Sequence, residues 1–541
     1  MNKWIKAGAL LSTGVILASA VSAVPSASAA TYKTINWTAV SDLQTLDPSL
    51  ATDATSITAL SSSTASLYST KNGQPVLEAA KSVKKSDDGL KYTITLRSNL
   101  KWADGSKLTA QDFVYGWQRT NDPKTGSEYA YLMSGIKNAD AIQKGEVTDL
   151  NELGIKAIND TTLEVELERP LAVFSALLTM PAFYPQSQAF VEKAGDKFGT
   201  TAATNLASGP YIVKGWNGSN QKYSFVKNPN YWDAKAVKTP KITTQIIKDQ
   251  NTGYNLFKGD KVDFTILSPD QVKASKKDKA YGLTHLGAEN SLTLNEVKIP
   301  EFKNLKIRQA ISDAIDRKTL SDKIMSGSAV AATTITPTHF AKAANGKDFA
   351  TASEVKGAIK FDKKAAAKLW KEGLKEVGKS KLTFTILTDD DDASKRAVQY
   401  VQSELQTNLK GLTVNVKTMP KKQRLALQSA KDFDVVVFTW MADYSDPSSF
   451  LDLYTTDATY NYGGWSNADY DAAVKKAQTT DAANPKARLN DYAQAEKIIE
   501  KNLGSIPLYY RATPYLENTK VHGVVQNPAG NPYEFKYAYK K

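Results

Sequence analysis

The stretch Asp434-Val-Val-Val-Phe-Thr-Trp440-Met-Ala-Asp443-Tyr444-Ser-Asp446-Pro447 holds the residues with the clearest chemical potential. Residues 434–439 read as a short buried strand, since four apolar residues stand in a row and three of them are β-branched. The strand is expected to stop at Trp440, and Pro447 bars its continuation. Asp443 then lies beside two large aromatics at the end of a core strand, where open α/β sheets bind ligands. The chain is basic, with 69 Lys and Arg against 56 Asp and Glu and a formal charge of +13. A lone carboxylate in that setting points to a ligand that carries a cation.

Other chemistry finds little support. There is no cysteine, which excludes disulfides, thiol catalysis, thiolate metal sites and lipid attachment through Cys. The three histidines, His285, His339 and His522, are far apart in sequence and share no ligand spacing, so no His-based metal site is expected. Neither G-x-S-x-G, H-E-x-x-H nor a P-loop occurs. Ser82-Val-Lys-Lys85 and Ser134-Gly-Ile-Lys137 fit S-x-x-K and Lys124-Thr-Gly126 fits K-T-G, but they stand in the wrong relation for an acyl-serine enzyme. Carboxylates are plentiful, yet no pair is singled out for glycosidase work. Asp389 to Asp392 invite a Ca²⁺ reading, but acids at that place also favour the helix start that follows. The expectation is a binding protein without a cofactor or metal, not an enzyme.

A chain of 541 residues is too long for one core, so two or three domains are expected. Residues 1–30 read as a secretory signal peptide: Lys3 and Lys6 precede a small apolar run at 7–23, and Ser26-Ala-Ser-Ala-Ala30 resembles a cleavage site. No other long apolar run exists. Positive charge is spread along the chain rather than striped, which argues against nucleic acid. Charge of this sign also suits an anionic surface.

Several elements are legible around the acidic stretch. Tyr92, Ile94 and Leu96 alternate with polar residues as in a half-buried strand. Thr109 with Asp112 predicts a helix start whose apolar face is Phe113, Val114 and Trp117. Residues 52–70, dense in Ser, Thr and Ala, fit either a linker or a helix that a ligand backbone can approach. Leu305, Ile307, Ala310, Ile311, Ala314 and Ile315 recur at helical spacing and are assigned to the core. Asp362 caps a helix that Gly378 stops. A strand at 382–387, a helix at 393–409 and a strand at 412–416 make a βαβ unit, with 434–439 the next strand of the same lobe.

The order of motifs resembles a known family. Lys91-Tyr-Thr-Ile-Thr-Leu-Arg97 leading into Trp102-Ala-Asp104-Gly105 and Thr109-Ala-Gln-Asp112-Phe-Val-Tyr-Gly-Trp117 is one block. Gly209-Pro210-Tyr211 with Asn228-Pro-Asn230-Tyr-Trp232-Asp233, then Ile307-Arg308-Gln309-Ala310-Ile311 with Ala314-Ile315-Asp316-Arg317-Lys318, are two more. Trp440-Met-Ala-Asp443-Tyr444-Ser-Asp446-Pro447 is the fourth. Together they resemble the extracytoplasmic peptide-binding proteins of ABC importers, the oligopeptide-binding group of solute-binding protein family 5, over nearly all of residues 35–535.

That resemblance implies an α/β, two-lobed, periplasmic-binding-protein-like (Venus flytrap) clamp with an extra subdomain in its first lobe. The implied layout puts lobe 1 at 31–74, 206–296 and 513–541, the subdomain at 75–205 and lobe 2 at 297–512. It implies capture of peptides in a closing cleft for delivery to the membrane permease subunits of an ABC transporter. Asp443 would take the peptide α-amino group, and Trp440 and Tyr444 would wall the cleft. Met441 and Ala442 would offer backbone groups, and Tyr129 and Tyr131 would touch ligand from the other lobe. Side chains would sit in roomy, hydrated pockets. The alternatives are a wall-associated adhesin, or the same fold holding a nickel complex or an oligosaccharide. Gram-positive members are usually tethered through a cysteine; this chain has none, so it is expected to be an exported, monomeric protein, retained in such a cell by anionic wall polymers or free in a periplasm.

Overall fold

The computed structural model describes residues 32–71 and 73–541; the expected signal peptide lies outside them. Strand Ile35–Ala39 pairs in parallel with Lys241–Ile246, and Lys222–Lys227 and Tyr211–Lys214 follow antiparallel. A second four-stranded sheet runs Ala80–Lys85, Lys91–Leu96, Thr162–Glu166, Ile155–Asn159. Both sheets feed one hydrophobic cluster that contains Trp37, Ile94, Trp117, Phe225 and Phe264 and is rejoined by Phe535 and Ala538 near the end of the chain. Trp37 stacks on Phe264 at 3.9 Å between ring centres. The Thr109 start is as expected, with the Thr109 amide donating to Asp112 Oδ2 at 2.7 Å ahead of helix Ala110–Asn121.

The third sheet is mixed. Its order is Phe264–Ile266, Ile506–Glu517, Tyr281–Leu294, Val435–Met441, Leu382–Asp389, Leu412–Met419, with Ala329–Ala331 added to Ile506–Glu517. The expected βαβ unit lies in its parallel part: Leu382–Asp389 and Leu412–Met419 pair in parallel across helix Asp392–Asn408, and Val435–Met441 pairs in parallel on the other side of Leu382–Asp389. Two further hydrophobic clusters cover opposite faces of this sheet. Val435 and Val437 face one and Val436 and Phe438 the other, so the strand is buried on both sides and reads as an unbroken apolar run.

Two long strands join the lobes. Tyr281–Leu294 and Ile506–Glu517 pair antiparallel, with Leu516 packed beside Leu267 and Val272 at one end and Leu292 and Ile506 in the second lobe at the other. Their register slips between His285 and Glu289. Gly287 lies in that irregularity, where an added Cβ would come within 2.5 Å of the Phe340 ring. A bulge in long strands shared by both lobes is a place where a hinge can bend.

The structure corrects two expectations and decides a third. The strand placed at 434–439 runs on to Met441, because Glu289 and Ala288 continue the ladder opposite Trp440 and Met441. Leu305 is 42% exposed, while Ile307, Ala310, Ile311, Ala314 and Ile315 are fully buried. Leu305 is the first residue of its helix, before the apolar stripe has turned inward. Of the two readings for 52–70, the helix holds over Ala54–Ser63, capped by Asp53. Asp391 caps its helix by accepting from the amides of Ala393 and Ser394, and Asp389 binds Arg424, so these acids have structural partners.

Glu496 and Glu500, one turn apart on helix Pro485–Asn502, are both buried. Glu496 accepts from the amides of Ile335 and Thr336, and Glu500 from Val355. Burial and the neighbouring Glu496 push the Glu500 carboxyl from 4.5 to about 9. The folded state then holds a proton that the unfolded chain releases, so stability falls as pH rises across that interval. Glu500→Gln can keep the Val355 bond and should flatten that slope, raising stability at pH 8 by up to about 5 kcal/mol in urea unfolding.

Candidate functional site

The strand Val435–Met441 delivers its end to the gap between the lobes. Tyr444 packs against the first-lobe cluster while Trp440 packs against a second-lobe cluster, so residues 440–444 cross from one lobe to the other. An ion pair fixes the turn that follows. Arg488 donates to both Asp446 carboxylate oxygens at 2.9 and 2.6 Å, and Asp446 also accepts from Ser448 N and Oγ. Arg488 in turn lies 4.8 Å over the Tyr492 ring. Asp446 both closes the turn and ties it to helix Pro485–Asn502.

Asp443 is half-buried. Tyr131 Oη donates to its Oδ2 at 2.9 Å, and Tyr129 Oη makes a long 3.5 Å contact with Oδ1. The two tyrosines come from the first lobe, more than three hundred residues earlier, with rings edge to face at 6.0 Å. Burial pushes the Asp443 carboxyl above its ordinary range, and the Tyr131 and Tyr129 hydrogen bonds bring it only part of the way back. Burial and the Asp443 charge raise both tyrosines, so they remain donors at physiological pH. No cation contributes to the Asp443 environment among the described residues. A carboxylate set in this way can pair with a cation.

Cavities open on both sides of Asp443. The first, of about 480 Å³, takes in Ala39, Val40 and Ser41 at the end of the first strand together with Met441 and Ala442. The second, of about 550 Å³, takes in Tyr131, Trp440, Tyr444, Tyr460 and Arg488. Trp440 is thus part of a cavity wall, its ring edge-on to Tyr460 at 4.8 Å. Met441 is 52% exposed. The Ala442 amide already donates to Gly287 O at 2.8 Å, so its carbonyl is what it can offer a ligand. Leu382–Asp389 pairs with Val435–Met441 only at Val435 and Val436, and among the described residues no strand pairs with that edge from Val437 onward. Such an edge can accept an extended chain as an added strand.

Sequence reasoning missed two features. Glu289, directly opposite Trp440 in the ladder, is buried with neither carboxylate oxygen bonded among the described residues, and the Trp440 Nε1 is also unpartnered. Burial holds the Glu289 carboxyl well above its usual range. A lone acid between Ala288 and Asn290 in an otherwise small or apolar strand was the available signal. His285 and His339, far apart in sequence, come together with ring centres 4.6 Å apart. Among the described residues no group of three His, Asp or Glu side chains is arranged to hold a metal.

A family model described as bacterial extracellular solute-binding proteins, family 5 Middle, matches residues 74–462. A dipeptide-binding protein of Lactococcus lactis subsp. cremoris is 38% identical over 546 residues, covering 98% of each chain. The structure of Listeria monocytogenes OppA bound to peptide is similar at TM-score 0.72 and 35% identity, covering 95% of this chain and 100% of that one. An unliganded open form of the periplasmic murein tripeptide binding protein MppA gives TM-score 0.82 at 27% identity, covering 95% and 98%.

Proposed function

The chain belongs to the bacterial extracellular solute-binding proteins of family 5, and from that premise we propose that it captures peptides between its lobes and hands them to the membrane permease of an ABC importer. It acts by binding, and no residue is assigned a catalytic role. Asp443 takes the peptide α-amino group, the one charge that all unblocked peptides share. The observation that carries this reading is the half-buried Asp443 carboxylate, hydrogen-bonded by Tyr131 and with no cation beside it among the described residues.

The peptide backbone adds to the free edge beyond Val436, a mode of binding that ignores sequence. The two lobes close by bending near Gly287, where the long strands Tyr281–Leu294 and Ile506–Glu517 slip in register, with 75–205 moving as part of the first. The greater likeness to an open, unliganded relative than to a peptide-bound one, despite lower identity, supports reading the present arrangement as the open state. Native mass spectrometry of the purified protein tests the ligand class. Retained peptides with free amines are expected; a retained sugar or metal chelate, with no peptide bound after stripping and reloading, would overturn the reading.

Without a cysteine for lipid attachment, retention at a Gram-positive surface would rest on the positive charge of a monomer adsorbed to anionic wall polymers. Ionic strength screens such contacts over about 3 Å at 1 M. Washing intact cells in 1 M salt should release the protein; quantitative retention would contradict adsorption.

A further inference from the structure

We propose that the cavity on the first-lobe side of Asp443 selects a large apolar side chain at one of the two residues nearest the free amine. This rests on the peptide reading above and goes beyond it by naming the peptide class. The cavity is walled by Trp37, Tyr223, Phe225, Ile266, Tyr533 and Phe535, all from the first lobe. Asp443 is the sole charged residue on its lining. At about 480 Å³ it falls within the roughly 300–1,000 Å³ usual for small-ligand sites. The hydrated pocket expected from the resemblance is therefore replaced, on this side, by an apolar one.

The two sides of the anchor differ. The opposite cavity carries Arg169, Asp452 and Arg488 along with tyrosine hydroxyls. Successive side chains of an extended peptide point to opposite faces. One of the first two side chains then meets apolar walls and the other meets polar ones. An acidic group directed to the apolar side would lose its hydration and face Asp443. A buried Phe or Leu side chain gains there instead, by about 10- to 100-fold in affinity.

The test uses the full-length mature protein, stripped of bound ligand and titrated by calorimetry with pentapeptides. The host is pentaalanine, with Phe, Lys or Glu placed singly at position 1 or 2. Phe at one of these positions should bind about 10- to 100-fold tighter than the host, and Glu at the same position weaker than the host. Ala54 is exposed at the rim of this cavity, in the first turn of its helix. Ala54→Trp narrows the cavity from outside the core and should bring the Phe-to-Ala affinity ratio close to one. Equal affinities for all guests, or a Phe advantage that survives in Ala54→Trp, would overturn the inference while leaving peptide binding intact. Failure of every pentapeptide to bind would overturn both.

Discussion

Asp443→Asn is expected to weaken peptide binding by roughly 30- to 5,000-fold, the equivalent of about 2–5 kcal/mol for losing one member of an enclosed charge pair. Asn keeps the size of Asp; its Oδ1 can still accept from Tyr131 while its Nδ2 donates to the Tyr129 oxygen, so the loop need not move. What disappears is the charge that faces the ammonium. The effect on the free protein has the opposite direction. The Asp443 carboxyl is raised in the folded state, so the folded protein binds protons more readily than the unfolded chain. Its contribution to stability is present in acid and is lost as pH rises through the raised value. A neutral Asn removes that loss, and the thermal midpoint at pH 7 should be unchanged or higher. A residue that weakens the empty protein while holding ligand is characteristic of a binding site rather than of a core.

Asp446→Asn should act the other way, on stability first. Arg488 and Asp446 are only 7% and 15% exposed at their side chains, and the pair is bidentate. Removing one charge leaves the other buried and uncompensated, at a cost of about 3–5 kcal/mol. Burial alone would raise the Asp446 carboxyl, but Arg488 and the Ser448 hydrogen bonds outweigh it and hold it below the usual range. Its stabilisation is therefore present above the ordinary carboxylate range and is lost as pH falls through the lowered value. Wild type and variant should converge in acid and differ most near pH 7 in denaturant unfolding. Because this pair fixes the turn that follows Asp443, binding should also weaken, though less than in Asp443→Asn. A variant as stable as wild type at pH 7 would remove Arg488 from the support of the site.

The mount for the site was readable directly. A Val-rich run with acid and aromatics at its end implied a strand buried on both faces, and Val435 to Phe438 do alternate between two clusters. The fourth block of the resemblance then gave Asp443 a role that spacing alone left open. What sequence could not convey is what distant segments assemble. Tyr131 reaches Asp443 across the lobe gap, whereas the resemblance implied for it only contact with ligand. The first cavity takes its walls from Trp37, Phe225 and Tyr533, which no local pattern connects, so its apolar character was missed. Glu289 was hidden for the same reason, since its burial is set by Trp440 and Tyr510 on neighbouring strands. Leu305 fitted the helical period but stands at the first position of its helix, where period and burial part company.

Titrating one bound peptide and its N-acetylated form against both wild type and Asp443→Asn isolates the pairing of Asp443 with the amine. Acetylation removes the ammonium charge and leaves the rest of the peptide intact. Acetylation should cost wild type roughly 30-fold or more and cost Asp443→Asn almost nothing, because the partner is already gone. Equal losses in both proteins would mean that the amine is held elsewhere and that Asp443 is not its anchor.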